Sequence, residues 1–206
     1  MIKAVLFDID GVLIDSFDRN YKFFVNILKM AGYKVRTTKK QFRGMFHLIA
    51  ADIYTAMAGK LSETELKKLF VLGRKYAQKL PLIPMPGSAG VVKALAKKYK
   101  LAVVSSRNKH GVEHYFECSG NKKYFKVAVQ LGDYKKPKPH PEPLLLACRR
   151  LKIKPGEAIY IGDSKTDMQA AKAAKMKIIT FPKKLPGANG YAKSFKDIPK
   201  IVDKML

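Results

Sequence analysis

Asp8 and Asp10, two positions apart and followed at once by Gly11, are the first residues of the chain whose types and spacing point to chemistry. Side chains two apart on an extended segment project to the same side. Two carboxylates held that close repel unless a cation or a shared proton relieves them. Gly11 allows positive φ and therefore a turn directly behind the pair. The preceding run Ala4-Val5-Leu6-Phe7 carries no charge and reads as a strand buried on both faces, as in a parallel sheet. The acids then stand at its carboxyl end, where open α/β sheets place their sites. Other polar clusters follow the same rule. Ser105, Ser106 and Arg107 succeed the apolar run 101–104. Lys136 and Lys138 lie in a loop stiffened by Pro137, Pro139, Pro141 and Pro143, and Asp163 and Asp167 succeed the run 158–161.

The elements that must position these residues can be read from periodicity. From Gly87 onward, helical and extended patterns alternate, with strands at 101–104, 126–129, 158–161 and 177–180, a helix capped by Ser88 and a closing helix over 194–206. Together with the first strand this predicts a five-stranded parallel sheet. Residues 17–82 have helical spacing instead: a helix over 17–31, one continuous apolar stripe over 41–57, and a helix opened by the capping box Ser62-Glu63-Thr64-Glu65. Pro81, Pro84 and Pro86 close this region, because three prolines in six residues neither continue a helix nor fit a central strand. The expected domains are therefore 1–16 with 83–206 as an α/β core, and 17–82 as an α-helical insertion. The two connections, near 14–17 and 80–87, are expected to act as hinges.

With 206 residues, 47% of them hydrophobic, the chain can build a core without staples. Cys118 and Cys148 have no close-spaced partners, which argues against a disulfide framework and fits a reducing cytoplasm, with Cys148 a core residue. The chain is expected to enter its first strand with no targeting segment and to have no membrane span. The net charge of +25 raises the question of a nucleic-acid partner. Because the lysines are spread over the whole length with no RNA-binding signature, nucleic acid is the less favoured partner and a generally basic surface the favoured reading. His110, His114 and His140 read as solvated or capping side chains without metal-ligand spacing.

In order and spacing, Asp8-Ile9-Asp10-Gly11-Val12, Val104-Ser105, Lys138-Pro139-His140-Pro141 and Ile161-Gly162-Asp163-Ser164-Lys165-Thr166-Asp167 resemble the four motifs of the haloacid dehalogenase-like superfamily. The resemblance covers the whole chain and is to the phosphatase branch with a helical cap, which includes phosphoglycolate phosphatases and β-phosphoglucomutases. It implies a Rossmann-like parallel sheet of order 5-4-1-2-3 with the cap inserted after the first motif.

What the resemblance implies for residues is specific. Asp8 would be the nucleophile that forms an aspartyl phosphate, and Asp10 the general acid and base. Asp163, the Asp8 carboxylate and the Asp10 backbone carbonyl would hold Mg²⁺, with Asp167 in support. Ser105 and Lys138 would hold the phosphoryl oxygens; Ser106 and Lys136 remain the alternatives to them. Substrate would be chosen by residues such as Asn20, Arg43, His47 and Arg107, a guanidinium being suited to a second anionic group. The expected activity is hydrolysis of a small phosphorylated metabolite by a monomer or homodimer. A phosphosugar mutase on the same fold, or a nucleic-acid-associated phosphatase or binding protein, is the alternative.

Overall fold

The computed structural model describes residues 1–45, 48–77 and 82–205. The chain divides into two compact units, Met1–Asp15 with Ile83–Leu206, and Ser16–Leu82. The first unit is built on β1 (Ala4–Phe7), β2 (Lys100–Asn108), β3 (Phe125–Leu131), β4 (Ala158–Gly162), β5 (Lys177–Thr180) and β6 (Gly190–Tyr191). These lie in the order β3-β2-β1-β4-β5-β6, with every pairing parallel. The expected order is present, extended at one edge by β6, a pair of residues too short to leave a strand pattern in the sequence. Phe7 pairs with Val103 on one side and Ile161 on the other, so the chain leaves three central strands at one level.

Because no charge interrupts β1, both of its faces are buried. Ala4 and Leu6 join a cluster with Ala102, Val104, Tyr160, Ala147 and Ala171. On the opposite face Phe7 stacks on Phe195, ring centroids 6.3 Å apart. β2 runs on past the expected 101–104 through Ser105, Ser106 and Arg107 to Asn108, with a register shift against β3 beyond Val104. The polar residues after its apolar run are thus presented by extended backbone rather than by a free loop.

The second unit contains α1 (Phe17–Met30), α2 (Lys39–Met45), α3 (Ala50–Ala58) and α4 (Glu63–Ala77) around Phe24, Ile27, Leu28, Phe42, Ile53, Tyr54, Met57 and Leu69. The single helix expected over 41–57 is two helices. α2 begins earlier because Thr38 caps it, Gln41 N donating to Thr38 Oγ1 (3.3 Å) and Thr38 N to Gln41 Oε1 (2.9 Å). Ile49 is extended at φ −73°, ψ 156°, so the apolar stripe comes from two helices that reach one cluster. The Ser62 to Glu65 capping box forms as expected, and its hydrogen bonds, joined by one from Tyr33, hold the Glu65 carboxyl down to about 2.

The remaining helices of the first unit are α5 (Ser88–Leu95), α6 (Lys109–Ser119), α7 (Glu142–Leu151), α8 (Lys165–Ala173) and α9 (Ile198–Asp203). Ser88 does not cap α5; Gly87, at φ +81°, takes the N-cap position and Ser88 is buried in the first turn. Cys148 is a core residue of α7, and burial pushes its thiol up to about 11. Among the described residues no helix is long and apolar enough to cross a membrane.

Candidate active site

The extended conformation of β1 ends at Phe7, and the two acids after it part company. Leu13 N and Ile14 N both donate to Ile9 O (2.9 and 3.1 Å), closing a tight turn in which Gly11 has φ +74°. Simple alternation along a strand therefore does not describe Asp8 and Asp10. Asp8 Oδ1 accepts the Ile9 N–H (2.7 Å) while Oδ2 accepts from Lys138 Nζ (2.9 Å). Asp10 instead receives a two-pronged hydrogen bond from Arg107, Nε to Oδ2 and Nη2 to Oδ1, each 2.6 Å.

Lys138 is the centre of a buried polar network. Its ammonium also donates to Asp167 Oδ1 (2.7 Å) and to the Tyr160 hydroxyl (3.0 Å). The side chains of Lys138 and Asp167 are 4% and 1% exposed, so the pair is removed from solvent. The other oxygen of Asp167 accepts from Ser164 Oγ (2.6 Å), Ser164 N and Asp163 N (3.2 Å each), which caps α8. Gly162 is needed for this approach, since a Cβ there would meet Asp167 Cβ at 2.5 Å. Lys136, by contrast, is exposed, and its backbone N–H donates to Glu142 Oε2 (3.0 Å).

The charges decide what this arrangement can hold. Asp8, Asp163 and Asp167 bring ligand oxygens within 4.8 Å of one another. Asp167 stays ionised: its burial is outweighed by the Lys138 charge and by hydrogen bonds from Lys138, Ser164 and Tyr160. Burial, then the neighbouring Asp167 charge, raises Asp8 to about 7 against the pull of Lys138. The same two causes, joined by Asp8, carry Asp163 well above the usual carboxylate range. No hydrogen-bond donor among the described residues reaches the Asp163 carboxylate, which lies so close against Gly11 that a side chain there would overlap it. Three carboxylates that share the single ammonium of Lys138, with no donor on the half-buried Asp163 and only oxygen ligands to offer, fit a hard divalent cation such as Mg²⁺.

The other expected site residues are placed as follows. Ser105 is buried two residues beyond the Phe7 partner Val103, and its Oγ accepts the Arg107 N–H (3.2 Å). Ser106 is half-buried on the next position. Arg107 is held at Asp10; attraction to Asp10 and Asp8 keeps its guanidinium charged despite burial. Asn20 and Arg43 belong to the helical unit, where Asn20 N donates to Ser16 O (2.7 Å) and the Arg43 guanidinium lies 4.0 Å from the Phe17 ring centroid. His47 lies outside the described residues, as do Leu80 and Pro81 at the start of the second connection. Tyr160 was not anticipated. Its hydroxyl in an otherwise apolar central strand was the available signal, because a buried hydroxyl needs a partner.

The model of the haloacid dehalogenase-like hydrolase family matches residues 5–181. Among curated proteins, the pyrophosphatase PpaX of Bacillus velezensis is 30% identical over 186 residues, covering 85% of this chain and 81% of its own length. The phosphoglycolate phosphatase of Nitrosospira multiformis is 26% identical over 189 residues, 88% and 83% of the two chains. Among solved structures, CbbY from Rhodobacter sphaeroides in complex with phosphate superposes with a TM-score of 0.84 at 22% identity, covering 96% of each chain, a likeness of fold. With the four motif segments gathered at one sheet edge and the family match running from β1 past β5, the chain belongs to the haloacid dehalogenase-like hydrolase family and is an enzyme of its phosphatase branch.

Proposed function

We propose that the protein is a Mg²⁺-dependent phosphomonoesterase for a small phosphorylated metabolite, working through an aspartyl phosphate on Asp8. The observation that carries this reading is the pairing of a buried carboxylate at a strand end with a buried lysine, Asp8 Oδ2 to Lys138 Nζ at 2.9 Å, beside the uncompensated Asp163. Asp8 and Asp163 would hold Mg²⁺ with the Asp10 backbone carbonyl, and the ion would offset the negative charge that a phosphoryl group brings among these acids. Asp8 attacks phosphorus, its carboxylate held in position by the hydrogen bonds from the Ile9 N–H to Oδ1 and from Lys138 to Oδ2. Asp10 gives a proton to the leaving oxygen and afterwards accepts one from the attacking water, with Arg107 setting the orientation of its carboxylate. Lys138 and Ser105 bind phosphoryl oxygens, and Asp167 and Tyr160 keep Lys138 in place. Residues 17–82 act as the cap that selects substrate. A cytoplasmic setting is part of this reading and rests on the two cysteines lying thirty positions apart with no close-spaced partners.

A panel of phosphorylated metabolites, assayed for phosphate release with and without Mg²⁺, tests the reading. Metal-dependent release from at least one small phosphomonoester is expected. A phosphosugar isomerised without release would replace hydrolysis by mutase chemistry, and no reaction with any compound would end the proposal.

Arg107 extends the reading to substrate choice. Phosphoglycolate and pyrophosphate, named in the relatives, both place a second anionic group near the phosphoryl group, and a guanidinium can bridge such a group and Asp10. Charge-assisted hydrogen bonds are worth about 1.5–3 kcal/mol each. Arg107→Ala is therefore expected to lower kcat/KM for dianionic-headed substrates by about 10–100-fold, and less for a phosphoester of a neutral alcohol. Equal losses on the two substrate classes would confine Arg107 to orienting Asp10.

A further inference from the structure

Lys138 has no hydrogen-bond donor to spare. An ammonium carries three N–H bonds and no acceptor. Here Nζ gives them to Asp8 Oδ2 (2.9 Å), Asp167 Oδ1 (2.7 Å) and the Tyr160 hydroxyl (3.0 Å). A phosphoryl oxygen bound by Lys138, as the proposed function requires, must therefore take the place of one of these three.

The partners are unequal. Asp167 makes the shortest contact and is buried, so parting it from the ammonium would strand a charge away from water, the costliest kind of loss. Asp8 is buried too, and an arriving phosphoryl group adds negative charge beside it. Tyr160 carries no charge. Its hydroxyl accepts from Lys138 and also donates, with Asp167 Oδ1 (3.0 Å) and Val104 O (3.3 Å) as its two acceptors. Released by Lys138, it still has an acceptor for its proton and is not left without a partner. The ring itself is fixed. Tyr160 is fully buried in the middle of β4, in register with Leu6 of β1 and Ile178 of β5, and packs in the cluster that holds Leu6 and Val104. The exchange therefore asks for a small movement of the ammonium and none of the sheet.

We propose that Tyr160 is a positioning residue that holds the third donor of Lys138 before substrate binds and yields it to the incoming phosphoryl oxygen, while Asp8 and Asp167 keep theirs. The inference rests on the assignment of Lys138 to phosphoryl binding. Its consequence is a weaker grip on phosphate. Each contact that Lys138 makes with a phosphoryl oxygen replaces a hydrogen bond already made, so the gain is a difference between two bonds and not a whole one. Inorganic phosphate makes the same contact as product, and the returning hydroxyl favours its departure.

Tyr160→Phe keeps the ring and removes the acceptor, so the third N–H of Lys138 has no partner until phosphate supplies one. Calorimetric titration of the full chain with inorganic phosphate in Mg²⁺ is expected to show the variant binding about tenfold more tightly than the wild type, and KM for a phosphomonoester should fall in the same direction. Urea unfolding gives a second reading. The variant should be less stable than the wild type without phosphate, by a margin that shrinks in saturating phosphate; if the loss unfolds the free variant, phosphate is expected to refold it. A tyrosine that merely steadied Lys138 would have the opposite sign, with weaker phosphate binding and a higher KM. That result, or an unchanged affinity with an unchanged margin, overturns the proposal. A wild type that releases phosphate from substrate in the presence of Mg²⁺ separates this failure from failure of the phosphatase reading, whereas a wild type that neither turns over a phosphomonoester nor binds phosphate ends both.

Discussion

Asp8→Asn is expected to lower turnover by about 10⁴-fold or more, the scale on which removing a covalent nucleophile acts, while leaving the fold in place. The amide cannot attack phosphorus, yet it fills the same volume at the end of β1. Two effects on stability oppose each other. Asparagine removes a charge from a cluster in which burial and Asp167 already push Asp8 up to about 7. It also loses an acceptor, because its NH₂ must face either the Ile9 N–H or Lys138, both of which Asp8 now satisfies. Each is worth about 1 kcal/mol, so the melting temperature of the metal-free protein should move by no more than a few degrees. Rapid quench of the wild type with a turned-over substrate should add one phosphoryl group to the peptide bearing Asp8, and none in the variant. Residual activity above about 1% of wild type, with unchanged Mg²⁺ dependence, would remove Asp8 from the nucleophile's role.

The expectation for Asp8 could be made from sequence because each part of it is local: a charge-free strand, an acid at its end and a glycine behind. Lys138 and Asp163 were also legible, as polar residues next to strand ends or in a proline-stiffened loop, once four such segments stood in a familiar order. What could not be read depends on register between distant segments. Arg107 meets Asp10 across 97 positions only because β2 stays extended beyond Val104 and lies beside β1. The same dependence hid Tyr160, whose alternation within β4 looks like any buried strand until Lys138 arrives from another loop. The break between α2 and α3 escaped for a different reason. A hydrophobic stripe records which residues share a core, and two short helices can feed one core as well as a single long helix does.

Lys138→Met should be the most disruptive single change outside the apolar core, because it removes the one cation shared by two buried carboxylates. Methionine preserves the volume, so the loss is electrostatic. Taking one partner from a buried pair typically costs about 3–5 kcal/mol, and here both Asp8 and Asp167 are stranded. The penalty has a pH signature. In the wild type Lys138 holds Asp167 below the usual carboxylate range and pulls Asp8 down against its burial. Without it Asp167 rises above its unfolded value and Asp8, already raised to about 7, rises further, so the folded variant binds more protons than the unfolded chain. Stability must then fall as pH rises through and above the carboxylate range, so the deficit relative to wild type is small near pH 4 and greatest above about pH 7. Activity should follow the same sign: on the proposed mechanism Asp8 attacks only when ionised, so the acidic limb of the pH–rate profile moves to higher pH, beyond the loss of the phosphoryl ligand that this mechanism assigns to Lys138. Urea unfolding at several pH values, with kcat/KM across the same range, measures both. A variant within about 1 kcal/mol of wild type at pH 8, a scale typical of surface changes rather than buried ion pairs, and with an unshifted acidic limb, would show that Lys138 does not balance these acids.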